Sequence, residues 1–216
     1  MLTRKLRHSD PGLQVEHVDA GHRSRSEVEA FIAHVYRRRY DADLRSFLPH
    51  LLAFRDGGGD LYAAVGVRYG VEGDLFVEQY LDEPAQTAIS ARLCIPVERS
   101  DLVEVGNFAS LAPGDARTII TRLTQVLHGE GARWVLFAAT RQLRNAFNRL
   151  HLRTQILAPA RPDRLGVDCQ DWGRYYEAQP QVVWGDIAAG HAHLHGWPSP
   201  ADMTEVVELH ACGGCA

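Results

Sequence analysis

The sequence predicts a single α/β domain built on a mixed sheet flanked by helices, with an irregular C-terminal extension. Three observations predict it. From Leu102 onward, apolar strand patterns alternate with helical ones, the order of a βαβα unit whose sheet is partly parallel. Ahead of that unit, two apolar runs flank the glycine-rich turn at residues 56–60, which reads as a hairpin. A chain of 216 residues with 45% hydrophobic and 23% charged residues sits at the upper end of one domain and has material for one core. Residues 1–200 are expected to form that domain, and residues 201–216 a flexible tail.

Taken in order, residues 27–40 place Val28, Phe31, Ile32, Val35 and Tyr36 at helical spacing, with Ser26 as the expected N-cap. Leu44, Phe47 and Leu48 suggest one or two further helical turns, stopped by Pro49. Residues 51–54 and 61–69 are the hairpin strands, and 75–81 is a further strand candidate. Residues 84–92 read as a short helix. Residues 102–111 restore the strand pattern, and Gly106 and Ala109 mark a place for a bulge or a close ligand. A helix at 116–129, a strand at 134–140, a helix at 142–150 and a strand near 154–158 follow. Beyond Pro159 the chain is rich in Pro, Gly, His and aromatics, with 182–184 as its one plausible strand.

Composition excludes several functions. The net charge of -4 gives no overall attraction to nucleic acid. The N-terminus has no apolar run of the secretory type, and no stretch approaches the roughly 20 apolar residues that span a bilayer. A soluble, cytoplasmic protein without integral membrane association is expected. Cys94, Cys169, Cys212 and Cys215 are too few for a disulfide scaffold. No metal site is expected: the terminal CxxC lacks a second pair, and the alternate residues His191, His193 and His195 would need an extended chain to converge.

The chemistry concentrates around Pro113-Gly114-Asp115-Ala116-Arg117, where a strand gives way to an amphipathic helix. The first-turn N–H groups of such a helix are unpartnered and carry the positive end of its dipole, which suits an anion. Gly114 and Ala116 lack bulk, Thr118 lies in the same turn, and Arg117 adds a charge for a pyrophosphate. The plain alternative is a helix capped by Asp115 with no ligand. Glu78 and Glu104 sit inside apolar patterns, where a carboxylate is costly unless it is paired or faces a cleft. As a strand, residues 75–81 would put Glu78 and Tyr80 on one face as base and acid. Glu104 and Asn107 fall on opposite faces unless a bulge intervenes. A salt bridge to Arg68 is the structural alternative for either glutamate, and helix stabilisation is the alternative for Asn145. Trp172, Tyr175, Tyr176 and Trp184 are candidates to line an acyl-chain channel or to pack a C-terminal cap.

The strand LVEVGNFAS, the loop and its helix, the strand WVLFAAT and the helix RQLRNAFNRL resemble the central region of the GCN5-related N-acetyltransferase superfamily. That resemblance implies a splayed strand holding a pantetheine arm near Phe108 and Ala109, a pyrophosphate loop over residues 114–118, and Asn145 near the thiol. The loop APGDAR departs from the superfamily's usual pattern, which leaves coenzyme A and acyl-carrier protein as alternative donors. FIAHVYRRRYDADLRSFLPHLLAF, LFVEQYLDEP, VEVGNFAS and WGRYYEAQPQVVWGDI, with other strings in the same order, resemble the bacterial thermostable hemolysin family over nearly the whole chain. A fainter likeness, through AAVGVRYG with its Arg68, is to acyl-homoserine-lactone synthases; Arg68 and Gln79 are the expected substrate contacts. Together these imply acyl transfer from a thioester to a small-molecule amine, amino acids among the candidates, with Glu78, Tyr80, Glu104 and Asn107 as the catalytic set and no covalent cofactor. The rivals are a direct cytolysin and a non-catalytic thioester-binding module.

Overall fold

A computed structural model describes residues 13–196. In chain order its elements are β1 (Gln14–Val18), α1 (Arg25–Tyr40), β2 (His50–Arg55), β3 (Leu61–Tyr69), α2 (Ala85–Leu93), β4 (Leu102–Ser110), α3 (Ala116–Gly129), β5 (Trp134–Ala139), α4 (Arg141–Arg149), β6 (Gln155–Pro159), β7 (Gln181–Asp186) and α5 (Ile187–Leu194). The strands form one sheet in the order β1-β2-β3-β4-β5-β7-β6. Every neighbouring pair is antiparallel except β4 and β5, which are parallel and joined through α3. This is the mixed α/β sheet that the sequence predicts, with its parallel step where strand and helix patterns begin to alternate.

Burial on both sheet faces explains why the central strands read as continuous apolar runs. On one face Val65, Val67, Val103, Val105 and Phe137 pack beneath Ile119, Leu123 and Leu127 of α3. Each such aliphatic side chain contributes about 1.5–3 kcal/mol by leaving water. On the other face α1 buries Val28, Ile32, Val35 and Tyr36, while Leu75, Val77 and Ile89 pack with Leu102 and Trp134.

Three local expectations are corrected. The N-cap of α1 is Ser24, not Ser26. Residues 41–48 are not helical: Asp41 takes a left-handed conformation, φ 57°, which ends α1, and Leu44 and Leu48 are buried from an irregular segment. Residues 75–81 are not a strand. Phe76–Tyr80 is a 3-10 helix, and the Glu78 carboxylate accepts the Leu75 N–H at 2.7 Å. A local cap of that kind satisfies backbone groups that a strand would have to pair elsewhere. The sequence reading also missed β1, α5 and the 3-10 turns at Pro162–Trp172 and Tyr175–Ala178. The expected tail, residues 201–216, with Cys212 and Cys215, lies outside the described residues.

Candidate active site

The parallel ladder of β4 and β5 pairs Leu102 with Trp134, Val103 with Val135 and Glu104 with Leu136. Past Glu104 the two strands diverge, although β4 stays on β3 as far as Ser110 and β5 stays on β7 as far as Ala139. Their inner edges therefore open backbone N–H and C=O groups into a gap, where a ligand with amide groups can pair with them. A bulge sets up the divergence: Ala64 faces Ala109 while Gly66 faces Gly106, so Val65 alone of β3 stands opposite two residues of β4, Asn107 and Phe108. Asn107 lies in the bulge at φ 48°, a conformation asparagine tolerates better than most residues. Its buried Oδ1 accepts the Leu48 N–H at 3.0 Å and so ties the irregular segment after α1 to the strand. The bulge breaks the alternation that would separate Glu104 from Asn107, but it occupies Asn107 with the backbone.

A cavity of about 440 Å³ passes through the gap. One lobe is aromatic, walled by Tyr36, Tyr40, Phe76, Tyr80, Trp172 and Tyr175. The rings touch in sequence, Phe76 to Trp172 at 5.5 Å, Trp172 to Tyr175 at 5.2 Å and Tyr175 to Tyr40 at 5.1 Å between centroids. The other lobe is mainly aliphatic, under α3, with Ile120, Leu123, Leu127 and Ile187 beside Phe137. Of the four aromatics proposed for a channel, Trp172 and Tyr175 line the cavity, Tyr176 bonds the Tyr80 hydroxyl at 2.6 Å, and Trp184 packs on Trp134 in the core.

Glu104 borders the cavity at the point where the strands part. It is 2% exposed, and its two oxygens accept the N–H groups of Phe76 at 2.6 Å and Val77 at 2.9 Å. Burial pushes its carboxyl up to about 7, against the pull of those two N–H groups and of the Arg68 charge. A carboxylate tuned to neutrality beside a cleft is suited to accept a proton from an amine. Arg68 stands opposite Glu104 in the β3–β4 register, yet its guanidinium donates to the Asp74 carbonyl at 2.8 Å.

Glu78 is placed differently. Its oxygens accept from the N–H groups of Leu75 and Ala85 and from both terminal nitrogens of Arg99, at 2.6 to 2.8 Å. Burial alone would raise its carboxyl, but Arg99 and the two N–H groups hold it below the ordinary value. The salt-bridge alternative thus describes its geometry, with Arg99 in place of Arg68, and Glu78 does not border the cavity. Tyr80 borders it with a buried ring, while Gln79 is exposed and turns its side-chain amide to the Phe76 carbonyl. Tyr80 and Glu78 do not form the acid–base pair expected of a strand face.

At the start of α3, the 3-10 turn Pro113–Asp115 runs directly into the helix. Asp115 holds the N-cap position, but its buried carboxylate reaches back to the Ala112 N–H at 3.0 Å and makes no cap bond into α3. The first-turn N–H groups stay available to an anion. Gly114 and Ala116 border the cavity, and Arg117 and Thr118 are exposed beside it. Phe108 and Asn145 border it as well, whereas Ala109 is buried in the core. Asn145 plays no part in the cap of α4, which Thr140 supplies. The histidine run folds into α5 and the turn beyond it, where His191 stacks between His128 at 4.0 Å and His195 at 4.1 Å. Among the described residues no group of three His, Cys, Asp or Glu side chains is placed to hold a metal.

Sequence reasoning missed Tyr36, Arg39 and Tyr40 as cavity residues. Their signal was the string YRRRY in the last turn of α1, where two rings four residues apart flank three arginines, of which Arg39 shares their face, although helical spacing alone assigns rings to a core.

A family model described as thermostable hemolysin matches residues 18–191. None of the curated proteins matches the chain. Solved structures share the fold, among them three synthases. The acyl-homoserine-lactone synthase LasI superposes with a TM-score of 0.59 at 11% identity, covering 86% of this chain and 95% of its own. BjaI, a CoA-dependent acyl-homoserine lactone synthase solved with SAM and isopentyl-CoA, gives 0.55 at 13% identity, covering 92% and 100%. FeeM, an N-acyl amino acid synthase from uncultured soil microbes, gives 0.54 at 11%, covering 84% and 93%. Among the described residues no helix is long and apolar enough to cross a membrane.

Proposed function

The chain belongs to the thermostable hemolysin family, and on that premise we propose that it is an N-acyltransferase taking an acyl group from a thioester to a small amine. The observation that carries this function is the parting of β4 and β5 past Glu104, which opens a through-sheet cavity with a neutral-range carboxylate at its apex. LasI, BjaI and FeeM share the architecture, and their names describe enzymes that make acylated products.

The aliphatic lobe under α3 receives the acyl chain, and the open strand edges pair with the amides of the donor's pantetheine arm. The first turn of α3, with Gly114, Ala116 and Arg117, holds donor phosphate, and Asn145 borders the same cavity. In the aromatic lobe Glu104 takes the proton of the acceptor nitrogen. The nitrogen attacks the thioester carbonyl carbon, a C–N bond forms, the C–S bond breaks, and the departing thiolate takes up one proton. Enclosure by rings keeps water from competing for the thioester. Tyr80 is a positioning residue through Tyr176, and Glu78 with Arg99 braces the turn that supplies the two N–H groups to Glu104.

The test is to offer acyl-coenzyme A and acyl-carrier-protein thioesters of graded length with a panel of amines, following free thiol and amide mass. Thiol release with amide formation is expected. Binding of thioester without release would identify a non-catalytic module, and lysis of erythrocytes by donor-free protein a direct cytolysin.

The phosphate loop has its own test. Gly114 has no neighbour within 4 Å of an added Cβ, and its φ is not positive, so Gly114→Glu is expected to fold with an unchanged melting temperature. Its carboxylate would compete for the first-turn N–H groups and repel phosphate. Calorimetry should show coenzyme A binding at least about 10-fold more weakly, as expected when one charge-assisted contact is replaced by repulsion. Equal binding by both proteins would leave a carrier-protein donor as the better assignment.

A further inference from the structure

Among the side chains bordering the cavity, Arg39 is out of place. It lies in the last turn of α1, between Tyr36 and Tyr40, partly buried in the aromatic lobe. Its neighbour Arg37 pairs with Asp43, whereas Arg39 has no ion-pair or hydrogen-bond partner among the described residues. A partly desolvated guanidinium without an anion is costly, which is a reason to look for the anion in a ligand. Its charge falls near the Tyr36 hydroxyl, which lies against the backbone of Phe108 on the splayed strand.

The rest of the lobe narrows what that ligand is. Two of its ring hydroxyls are already engaged: Tyr80 bonds Tyr176, and the Tyr175 hydroxyl donates to the Ala138 carbonyl at 3.2 Å. The ring faces of the wall favour an apolar or aromatic group. The lobe therefore presents three things in one enclosure: the Glu104 carboxylate, the unpaired Arg39 guanidinium and a wall of ring faces. A zwitterion with an apolar side chain carries the complementary three.

Building on the acyltransferase function proposed above, we infer that the acceptor is an α-amino acid with an apolar or aromatic side chain, its carboxylate held by Arg39 and its nitrogen presented to Glu104. Arg39 sets specificity: it selects amino acids over the corresponding amines, and it leaves the donor to the α3 loop and the open strand edges.

The experiment compares wild type, Arg39→Ala and Arg39→Lys with matched acceptors, phenylalanine against phenethylamine and leucine against isopentylamine, using one thioester donor. Wild type is expected to prefer each amino acid. In Arg39→Ala the ratio of kcat/KM for amino acid over amine should fall by about 10-fold or more, the scale of one lost charge-assisted contact, with donor KM unchanged. Arg39→Lys should restore part of it, because an ammonium offers the charge without the two-pronged geometry. An unchanged ratio, or a rise in donor KM instead of acceptor KM, would overturn the assignment and give Arg39 to the donor. Calorimetric titration with phenylalanine separates this inference from the enzyme assignment. If no pair yields amide, acyl transfer fails, while binding weakened 10-fold in Arg39→Ala still supports the amino-acid site and absence of binding to wild type overturns it.

Discussion

Glu104→Gln is expected to lower turnover by about 10²-fold or more with the fold retained, since that is the usual contribution of a positioned general base. The substitution keeps the shape of a 2%-exposed side chain and removes its ability to take a proton. The pH dependence makes the test specific. With the carboxyl raised to about 7, the active ionised form accumulates only as pH climbs through that value. Wild-type kcat/KM should therefore rise to a plateau above pH 7, and the limb should be missing from Glu104→Gln. Stability should run the opposite way. A carboxyl whose folded value exceeds its unfolded one contributes stability that is present below about 4.5 and is lost as pH rises through about 7. The full shift corresponds to about 3 kcal/mol at 1.36 kcal/mol per unit. Denaturation between pH 5 and 8 should show that slope in wild type and a flatter one in the variant. The absolute values matter less, because glutamine offers one acceptor oxygen to the two N–H groups of Phe76 and Val77. Glu78→Gln is the contrast: it loosens the Arg99 pair and should cost stability without abolishing the acidic limb. A Glu104→Gln enzyme with wild-type turnover and an intact limb would remove Glu104 from the chemistry.

Gly173→Ala is expected to destabilise the protein by about 2–4 kcal/mol, combining a strained backbone with overpacking. Gly173 lies at φ 51° and ψ -124°, and a Cβ there would come within 2.4 Å of both the Tyr40 and the Asp41 carbonyl oxygens. Neither backbone atom yields as the end of a flexible side chain would. The contact is the place where the C-terminal aromatic segment meets the end of α1: the Arg174 N–H donates to the Tyr40 carbonyl at 2.7 Å, and the Asp43 N–H to the Asp171 carbonyl at 2.7 Å. Trp172 and Tyr175 are thereby set into the cavity wall. At roughly 2–4 °C per kcal/mol for a chain of this size, the melting temperature should drop by about 5–15 °C. Acceptor KM should rise in what remains folded. Gly129→Ala, in the last turn of α3 with nothing within 4 Å, is the matched control and should be neutral or slightly stabilising. A Gly173→Ala protein melting with wild type would mean that the junction is looser than its geometry implies.

Features that depend on neighbours along the chain were legible in the residues alone. Helical spacing located α1, α3 and α4, the glycine-rich turn located the β2–β3 hairpin, and alternation located the parallel step from β4 to β5. The sequence also singled out Glu104, because a carboxylate in an apolar strand needs a reason, and placed the bulge near Gly106 and Ala109. Residues 75–81 escaped it, since five apolar positions in seven satisfy a strand and a 3-10 turn alike. Only the partner groups decide: Glu78 finds Arg99 from beyond α2, and Glu104 supplies the acceptors for Phe76 and Val77. The same limit hid the aromatic lobe. Tyr40, Phe76 and Trp172 are remote in sequence and adjacent in space, and whether a ring fills a core or walls a cavity depends on what stands opposite it. What stands opposite is set by the parting of β4 from β5, a bend produced by one bulged residue and by the tie from Asn107 to Leu48. Local preference specifies elements, but a cavity is the space that packed elements leave between them, so it is packing that brings Arg39 and Glu104 to one enclosure.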